Sequence, residues 1–538
     1  MKSLEELCLT LISRNIGDFS SRLGPHLSTK HKEMILERLS WHGLFSQQLL
    51  PIISYQLFSS SLQRINLTDS EQINDSTLEL LGVSHCQPVS FTLHKCPLVT
   101  NKGIELLSKL SFFIKMEYLK LSKLKGLEGS EGFQRVGSKS VKQLVLTGCS
   151  GLRDKGLIDI IKRCTSVCEL DLSENHKLTD ESIINVSQTL GGNLREISCN
   201  ELSNLTNAST MALATYCHCV VKANFEGCVK LDGSGLIQMA ENCLLEELNI
   251  SFCYKLQPLT VDTLVSTLNA KGPLKSIDLM AISFGDFTVE FISSCHSLSH
   301  LFTAGVSMND NDFDTLCRSL GSTLKQLDIS GCPLLTDSSC TSIAQQLQKI
   351  EFIGMRNMKD ISGSSLMELF QNQSRADNIK YVAFSGSKDI DVQVIESIAR
   401  NCHNIETLLL AGLKGITDDV AFLLSDNCPQ LTHCSLRNCS LTDIGVSRLA
   451  VHCKKLVMLA LAGIHQLTDL SIHALANNCP YLDEIHLSGC ALITKQALAF
   501  LSDTVICSLW INHNVPNAPP GLLMAKDLDT GKYQRVDN

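Results

Sequence analysis

The fold class that the sequence predicts is an α/β solenoid, with a curved parallel sheet inside and helices outside. Three observations predict it. The chain repeats one sentence about every 26 residues: CPQLTHCSLRNCSLTDIGVSRLA from Cys428, CKKLVMLALAGIHQLTDLSIHALA from Cys453 and CPYLDEIHLSGCALITKQALAFL from Cys479. Each copy has one grammar, Cys-x-x-Leu-x-x-Leu-x-Leu, often a further Cys, then Leu-Thr-Asp and an apolar helical stretch. Hydrophobic residues make up 44% of the chain and aromatics only 5%, so the core must be aliphatic, as stacked leucines would make it.

Residues 1–60 lack the repeat and read as three helices. In the first, Leu4, Leu7, Cys8, Leu11 and Ile12 fall on one continuous apolar stripe. The second starts near Ser28 and carries Met34, Ile35 and Leu39. The third runs through Leu49, Ile52, Ile53 and Leu57, with Pro51 expected to distort it.

Residues 61–511 form the array. The spacing is that of a leucine-rich repeat, and filling in the weaker copies gives about 17 repeats. Strand cores include Leu62/Ile65/Leu67, Leu245/Leu248/Ile250, Ile379/Val382/Phe384 and Leu456/Leu459/Leu461. The Leu-x-Leu alternation makes a short strand with its leucines inward. Thr442-Asp443 and Thr468-Asp469 precede apolar periodicity, where a Thr or Asp oxygen caps a helix. A single unit cannot bury its own apolar face, so neighbours must stack. The stretch 122–140, rich in Gly, Ser and Lys, reads as an irregular loop replacing a helix. Residues 512–538 read as an end cap followed by a loose tail.

The chain has 24 cysteines, but their positions follow the repeat. One set precedes each strand (Cys217, Cys428, Cys453 and Cys479 among them) and another follows it (Cys149, Cys228, Cys253 and Cys490 among them). These positions want a small buried side chain, which a free cysteine supplies. A reduced chain in the cytoplasm, with the nucleus as a second compartment, is expected. The opening residues, with Glu5 and Glu6, lack the apolar run of a signal peptide, and no stretch of about 18 apolar residues suggests a membrane span. A formal charge of −9 gives no basic stripe for nucleic acid.

No catalytic constellation stands out, and an enzyme is not expected. Cys217-His218-Cys219 lacks a second pair at zinc-site spacing, so no metal is expected. No glycine loop has phosphate-binding form, and no cofactor is implied. A solenoid binds through its concave face. There the outward positions include Met280, His300, Phe302, Asp328, His433, Arg437 and His486, the candidate contacts for a protein partner.

The opening Ser3-Leu4-Glu5-Glu6-Leu7-Cys8-Leu9-Thr10-Leu11-Ile12 resembles the elongin B/C-binding box: a small residue, Leu, three of any, Cys, three of any, an aliphatic. That resemblance implies that Leu4 and Cys8, with Leu7, Leu11 and Ile12 beside them, insert into elongin C. Ala212-Leu213 through Cys217 to Val221 also satisfies the pattern but lies in a repeat helix. The array resembles the cysteine-containing leucine-rich repeats of F-box/LRR proteins. The whole layout is similar to antagonist-of-mitotic-exit-network proteins and to the Zyg/Zer substrate receptors of cullin-RING ligases. Leu27-Ser28 stands where an F-box would have Leu-Pro. The resemblance implies a substrate-recognition subunit of a cullin-RING E3 ubiquitin ligase in ubiquitin-dependent protein catabolism. Its partners would be elongin B/C and a cullin, or a Skp-type adaptor, together with a protein substrate. The alternative is a non-ligase repeat scaffold whose first helices only cap the solenoid.

Overall fold

A computed structural model describes residues 4–19, 23–41, 43–109, 112–127, 131–133, 135–359, 361–413, 415–505 and 508–510. The chain divides into two compact units, Met1–Leu274 and Lys275–Asn538.

The first unit opens with helices α1 (Leu4–Arg14), α2 (Thr29–Trp41) and α3 (Leu50–Leu57). Pro51 starts α3 rather than bending it, because the first turn has no amide partner to lose. Eight parallel strands follow. They are β1 (Arg64–Thr68), β2 (Ser90–His94), β3 (Tyr118–Ser122), β4 (Gln143–Val145), β5 (Glu169–Asp171), β6 (Glu196–Ser198), β7 (Lys222–Asn224) and β8 (Glu247–Asn249). Each pairs in parallel with the next.

The second unit continues with β9 (Ser276–Asp278), β10 (His300–Phe302), β11 (Gln326–Asp328), β12 (Phe352–Gly354), β13 (Tyr381–Ala383), β14 (Thr407–Leu409), β15 (His433–Ser435), β16 (Met458–Ala460), β17 (Glu484–His486) and β18 (Ser508–Trp510). These too pair in parallel, each with the next. Helices connect most consecutive strands in both units. Among the described residues of the irregular stretch, the connection holds a short 3-10 turn, Glu131–Phe133, and no α-helix. Residues 511–538 lie outside the described residues.

Registers align the same position of every repeat. The central residue of the short strands points into the core: Leu144, Leu170, Ile197, Leu248, Ile277, Leu327, Val382, Leu408 and Leu459 are all buried. Repeat-locked cysteines fill the seams between coils. Cys149 Sγ lies 3.2 Å from Leu121 O and Cys332 Sγ 3.2 Å from Thr303 O. Cys428 Sγ sits 3.5 Å from Ala399 O and Cys479 Sγ 3.6 Å from Ala450 O. Each thiol thus donates weakly to a carbonyl of the preceding coil while packing as a small hydrophobe.

The Leu-Thr-Asp element has two roles. Thr442 and Thr468 are N-caps, their hydroxyls accepting from the amides of Ile444 and Leu470. The Asp that follows does not cap its own helix. Asp443 instead accepts from the Thr468 hydroxyl at 2.6 Å, the Thr468 amide at 2.9 Å and the Ser471 hydroxyl at 2.5 Å, all one repeat further on. The same staple joins Asp180 to Thr206, Asp310 to Thr336, Asp418 to Thr442 and Asp469 to Thr494. These helix starts are therefore locked to the next by charge-assisted hydrogen bonds.

Candidate protein-binding surfaces

Strand β1 pairs with β2 on one edge, and α2 serves the other. Glu33, Glu37, Ser40 and Trp41 recur at i, i+4, i+7 and i+8, which puts them on one face of α2. One Glu33 carboxylate oxygen accepts from the amides of Gln63 at 2.7 Å and Arg64 at 2.8 Å. Ser40 accepts from the Thr68 amide and donates to the Thr68 carbonyl, both at 2.8 Å. Asn66 Nδ2 donates to Glu37, and Trp41 Nε1 to the Thr68 hydroxyl. An open strand edge is a liability for aggregation, and α2 closes this one with side chains.

Helix α1 packs on α2 and has two faces. Leu9 (3% exposed) and Ser13 form the buried one, continued by Ile16 in the 3-10 turn that follows the helix. Cys8 is exposed, Leu11 is 63% exposed, and Ile12, which lies angularly between the faces, is half-buried. The side chains of Leu4 and Leu7 lie outside the described residues. Glu5 accepts from or pairs with His31 at 3.1 Å, tying α1 to α2. Capping and exposure are thus divided between two helices: α2 closes the sheet, and α1 turns part of its apolar stripe outward.

A groove of about 950 Å³ runs between α2 and the outward residues of β1–β5. Its lining mixes Lys30, Glu33, Arg64 and Glu169 with Met34, Ile65, Val89 and Tyr118, so it carries both charges beside apolar surface. Further along this unit, Lys222 bridges Glu196 at 3.4 Å and Glu247 at 3.3 Å across three adjacent strands. His94 on β2 bonds the Ser122 hydroxyl at 2.5 Å. Burial pushes its pKa down to about 4, with Lys95, Lys120 and Lys123 acting the same way and Asp69 opposing.

The second unit's strand face differs. His300, Gln326, Phe352, Tyr381, Thr407, His433, Met458 and Glu484 align in one register row. Phe352 stacks on Tyr381 with ring centroids 3.9 Å apart, and Phe302 meets Phe352 edge-on at 6.1 Å. Of the residues expected to line a partner site, Met280, His300, Phe302, His433, Arg437 and His486 are half-buried at this face. His300 lies 2.7 Å from the Ser299 hydroxyl, and His486 2.6 Å from Glu484. Burial holds the His433 pKa below its usual value, against the pull of Glu484 and Glu406. Asp328 departs from the expectation of an open contact. It is 3% exposed and paired with Arg356 at 2.9 Å. A Cβ on Gly354 would stand 2.5 Å from the Asp328 carboxyl carbon, so this glycine makes the room. Phe352, Tyr381, Leu409 and Met458 escaped the sequence reading. Their signal was available, since each occupies an outward position beside an inward leucine, isoleucine or valine.

Repeat cysteines lack the electropositive, accessible setting of a nucleophile. Burial pushes the thiols of Cys217, Cys428, Cys453 and Cys479 up to about 12. In the Cys217-His218-Cys219 run, Cys217 lies 3.6 Å from Ser187 O inside the core while Cys219 is exposed. Among the described residues, no group of three or more His, Cys, Asp or Glu is placed to hold a metal ion. No described helix is long and apolar enough to cross a membrane.

A family model described as "Leucine Rich repeat" matches residues 322–344, the segment from the turn before β11 into the following helix. Among solved structures, the chain is similar to one titled "Crystal structure of Rad7 and Elc1 complex in yeast". That match has 14% identity and a TM-score of 0.40, covering 97% of this chain and 98% of the other. A second, "Crystal structure of TLR13-ssRNA13 complex", is 15% identical with a TM-score of 0.35, covering 80% of this chain and 61% of the other. With the matched repeat falling on one strand-and-helix unit, and the same unit recurring through both halves, the chain is an α/β leucine-rich-repeat solenoid.

Proposed function

We propose that the chain is a non-enzymatic substrate receptor of a cullin-RING ubiquitin ligase. In this reading the outer face of α1 docks an elongin B/C adaptor, with Leu4 and Cys8 entering elongin C and Leu7, Leu11 and Ile12 beside them. The strand face of the repeats holds the protein to be ubiquitinated. The receptor contributes proximity and orientation, and its partners carry the chemistry. It works in the cytoplasm or nucleus, where unpaired thiols persist.

One observation carries the proposal. Helix α1 keeps Leu11 63% exposed and Cys8 exposed while burying Leu9 on its other side. A helix with a second apolar face turned to solvent suits helix-in-groove recognition. A helix that served only as a cap would have no use for it, and the capping contacts to β1 come from α2.

Pulldown of the purified chain with elongin B/C, and separately with a Skp-type adaptor, tests this. Elongin B/C is expected to be retained by the wild type and lost with Cys8→Arg or Leu11→Arg, the fold being unchanged by circular dichroism. Retention of neither adaptor sinks the ligase reading and leaves a repeat scaffold. Retention of the Skp-type adaptor alone reassigns residues 1–60 to a divergent F-box.

A further inference from the structure

The groove of about 950 Å³ beside α2 is built before any partner arrives. Its wall, α2, is pinned to β1 through Glu33 and Ser40, so little ordering cost falls on this chain when the groove fills. The groove crosses the starts of β1 to β5, four strand steps of about 4.8 Å, or roughly 19 Å. That length takes about six residues of extended chain at roughly 3.3 Å each.

Charge selects the occupant. The lining holds the cations Lys30, Arg64 and Lys142 and the carboxylates Glu33, Glu37, Glu117 and Glu169. Lys142 pairs with Glu117 at 3.1 Å, and Lys30 lies 3.9 Å from Glu5, which is outside the lining. Neutral donors hold the other three carboxylates. Glu33 accepts from the Gln63 and Arg64 amides, Glu37 from Asn66 Nδ2 and Glu169 from Gln143 Nε2. Among the described residues, three carboxylates therefore face a single cation that has no carboxylate partner, Arg64. The acidic excess continues onto β6–β8, where Glu196 and Glu247 share Lys222. Between these carboxylates the surface is apolar, with Met34, Val89 and Tyr118 half-buried.

We propose that this groove binds an extended segment of a partner protein that carries Arg or Lys at alternate positions. Alternate side chains of an extended chain face the same way, so the basic ones enter the groove together. Their long stems lie on Met34, Val89 and Tyr118 while the charged heads reach Glu33, Glu37 and Glu169. An Arg head also gains from the face of the Tyr118 ring. Desolvated apolar contact supplies affinity, and the uncompensated carboxylates supply selection. Arg64, at the β1 end, disfavours a basic residue there and so sets the direction in which the segment lies. The inference rests on the reading that the strand face holds a protein, and it is independent of the adaptor.

A library of terminally blocked hexapeptides, screened against the purified full chain, tests this. Binders are expected to be enriched in Arg or Lys at alternate positions. The strongest, labelled with fluorescein and titrated by anisotropy, should bind Glu37→Lys/Glu169→Lys at least about 10-fold more weakly. Glu79→Lys/Glu241→Lys makes the same charge change at exposed helix positions and should leave affinity within about 2-fold, because screening confines the effect to nearby charges. Raising salt from about 0.05 to 0.5 M should weaken wild-type binding at least about 5-fold. Val89→Arg, which sets a cation on the apolar floor, should also abolish binding and serves should the first variant misfold. Enrichment of Asp or Glu, no enrichment at all, or equal losses in the two double variants would overturn the inference. Adaptor pulldown is a separate measurement: a chain that retains neither adaptor can still bind these peptides, so the two readings fail separately.

Discussion

One repeat grammar gives the two units different strand faces. The first unit presents Arg64, Lys120, Glu169, Lys222 and Glu247 outward, exposed or half-exposed, with Lys222 bridging Glu196 and Glu247. The second presents Phe302, Phe352, Tyr381, Leu409 and Met458 at equivalent positions, and the middle of its face is buried. Inward residues barely differ: apart from Ala223 on β7 and Cys434 on β15, the central residue of the short strands is leucine, isoleucine or valine in both units. The inward column therefore sets the fold, and the outward columns are free to vary with what each face meets. Charged, solvated strands contribute little to affinity but much to partner selection, whereas a desolvated aromatic strip is where binding energy concentrates.

Placing a charge on each face gives the largest expected contrast. Leu409→Glu buries a carboxylate beside Ala383 and Met458 and should cost about 3 kcal/mol or more. Val145→Glu puts the same group on a half-exposed position next to Lys120 and should stay within about 0.5 kcal/mol. Urea unfolding followed by circular dichroism reads both. Equal shifts would mean that the two faces are alike.

Gly354→Ala comes next. Its Cβ would displace Asp328 and break the buried pair with Arg356, at a cost of about 1–3 kcal/mol. Gly354→Ala/Asp328→Ala should recover part of that loss, because the clash goes when the carboxylate does. A double variant no better than the single one would place the strain elsewhere.

These contrasts bear on what the sequence could reveal. Strand positions were legible because Leu-x-Leu is a local signal repeated many times. Thr442 and Thr468 were legible as caps for the same reason. The second role of Asp443 was not, since its partners Thr468 and Ser471 belong to the next coil and meet it only after stacking. Asp328 read as an outward contact from alternation alone, but its burial depends on Arg356, a full repeat away. Pro51 was misread by one turn: it sits where α3 begins. At the candidate adaptor site, the stripe of α1 was visible, but which part of it stays open depends on the packing against α2.

Acid should separate the units by smaller amounts. His94 in the first unit has its pKa lowered to about 4 by burial, from an unfolded value near 6.5. Between these values the unfolded chain binds more protons at this site than the folded one. Stability therefore falls as pH drops from about 6.5 toward 4, with a slope of at most about 1.4 kcal/mol per pH unit. His433 in the second unit shifts in the same direction and adds loss of the same sign. Asp443 and Asp180 act at lower pH. Burial raises their pKa values, but hydroxyl and amide donors from the next repeat outweigh it and leave both depressed. Their contribution is present above the unfolded carboxylate range and is lost as pH falls through the depressed values. His94→Gln should flatten the stability profile between pH 6.5 and 4 and leave the lower limb intact. An unchanged upper limb would show that His94 does not titrate with folding.

The smallest effect tests the charged face itself. Lys222 bridges Glu196 and Glu247, but all three side chains are about two-fifths exposed or more. Both carboxylates and the ammonium keep most of their hydration, so each pair is worth only a few tenths of a kcal/mol at moderate salt. Hydrogen bonds to Glu247, and then to Glu196, do raise the Lys222 pKa, but at this exposure solvent screening leaves little of that as stability. Lys222→Met should therefore shift the urea midpoint barely at all, and the small difference should vanish by about 1 M salt, where the Debye length is about 3 Å. What the substitution should change is surface character. It leaves Glu196 and Glu247 unbalanced on the strands either side of β7, so an acidic partner is repelled and a basic one drawn in, with association rates that diverge as salt is lowered. A large, salt-independent loss of stability would instead mean that the Lys222 bridge is a structural tie like the Asp–Thr staples, and that the first unit's face is not the solvated surface its exposure describes.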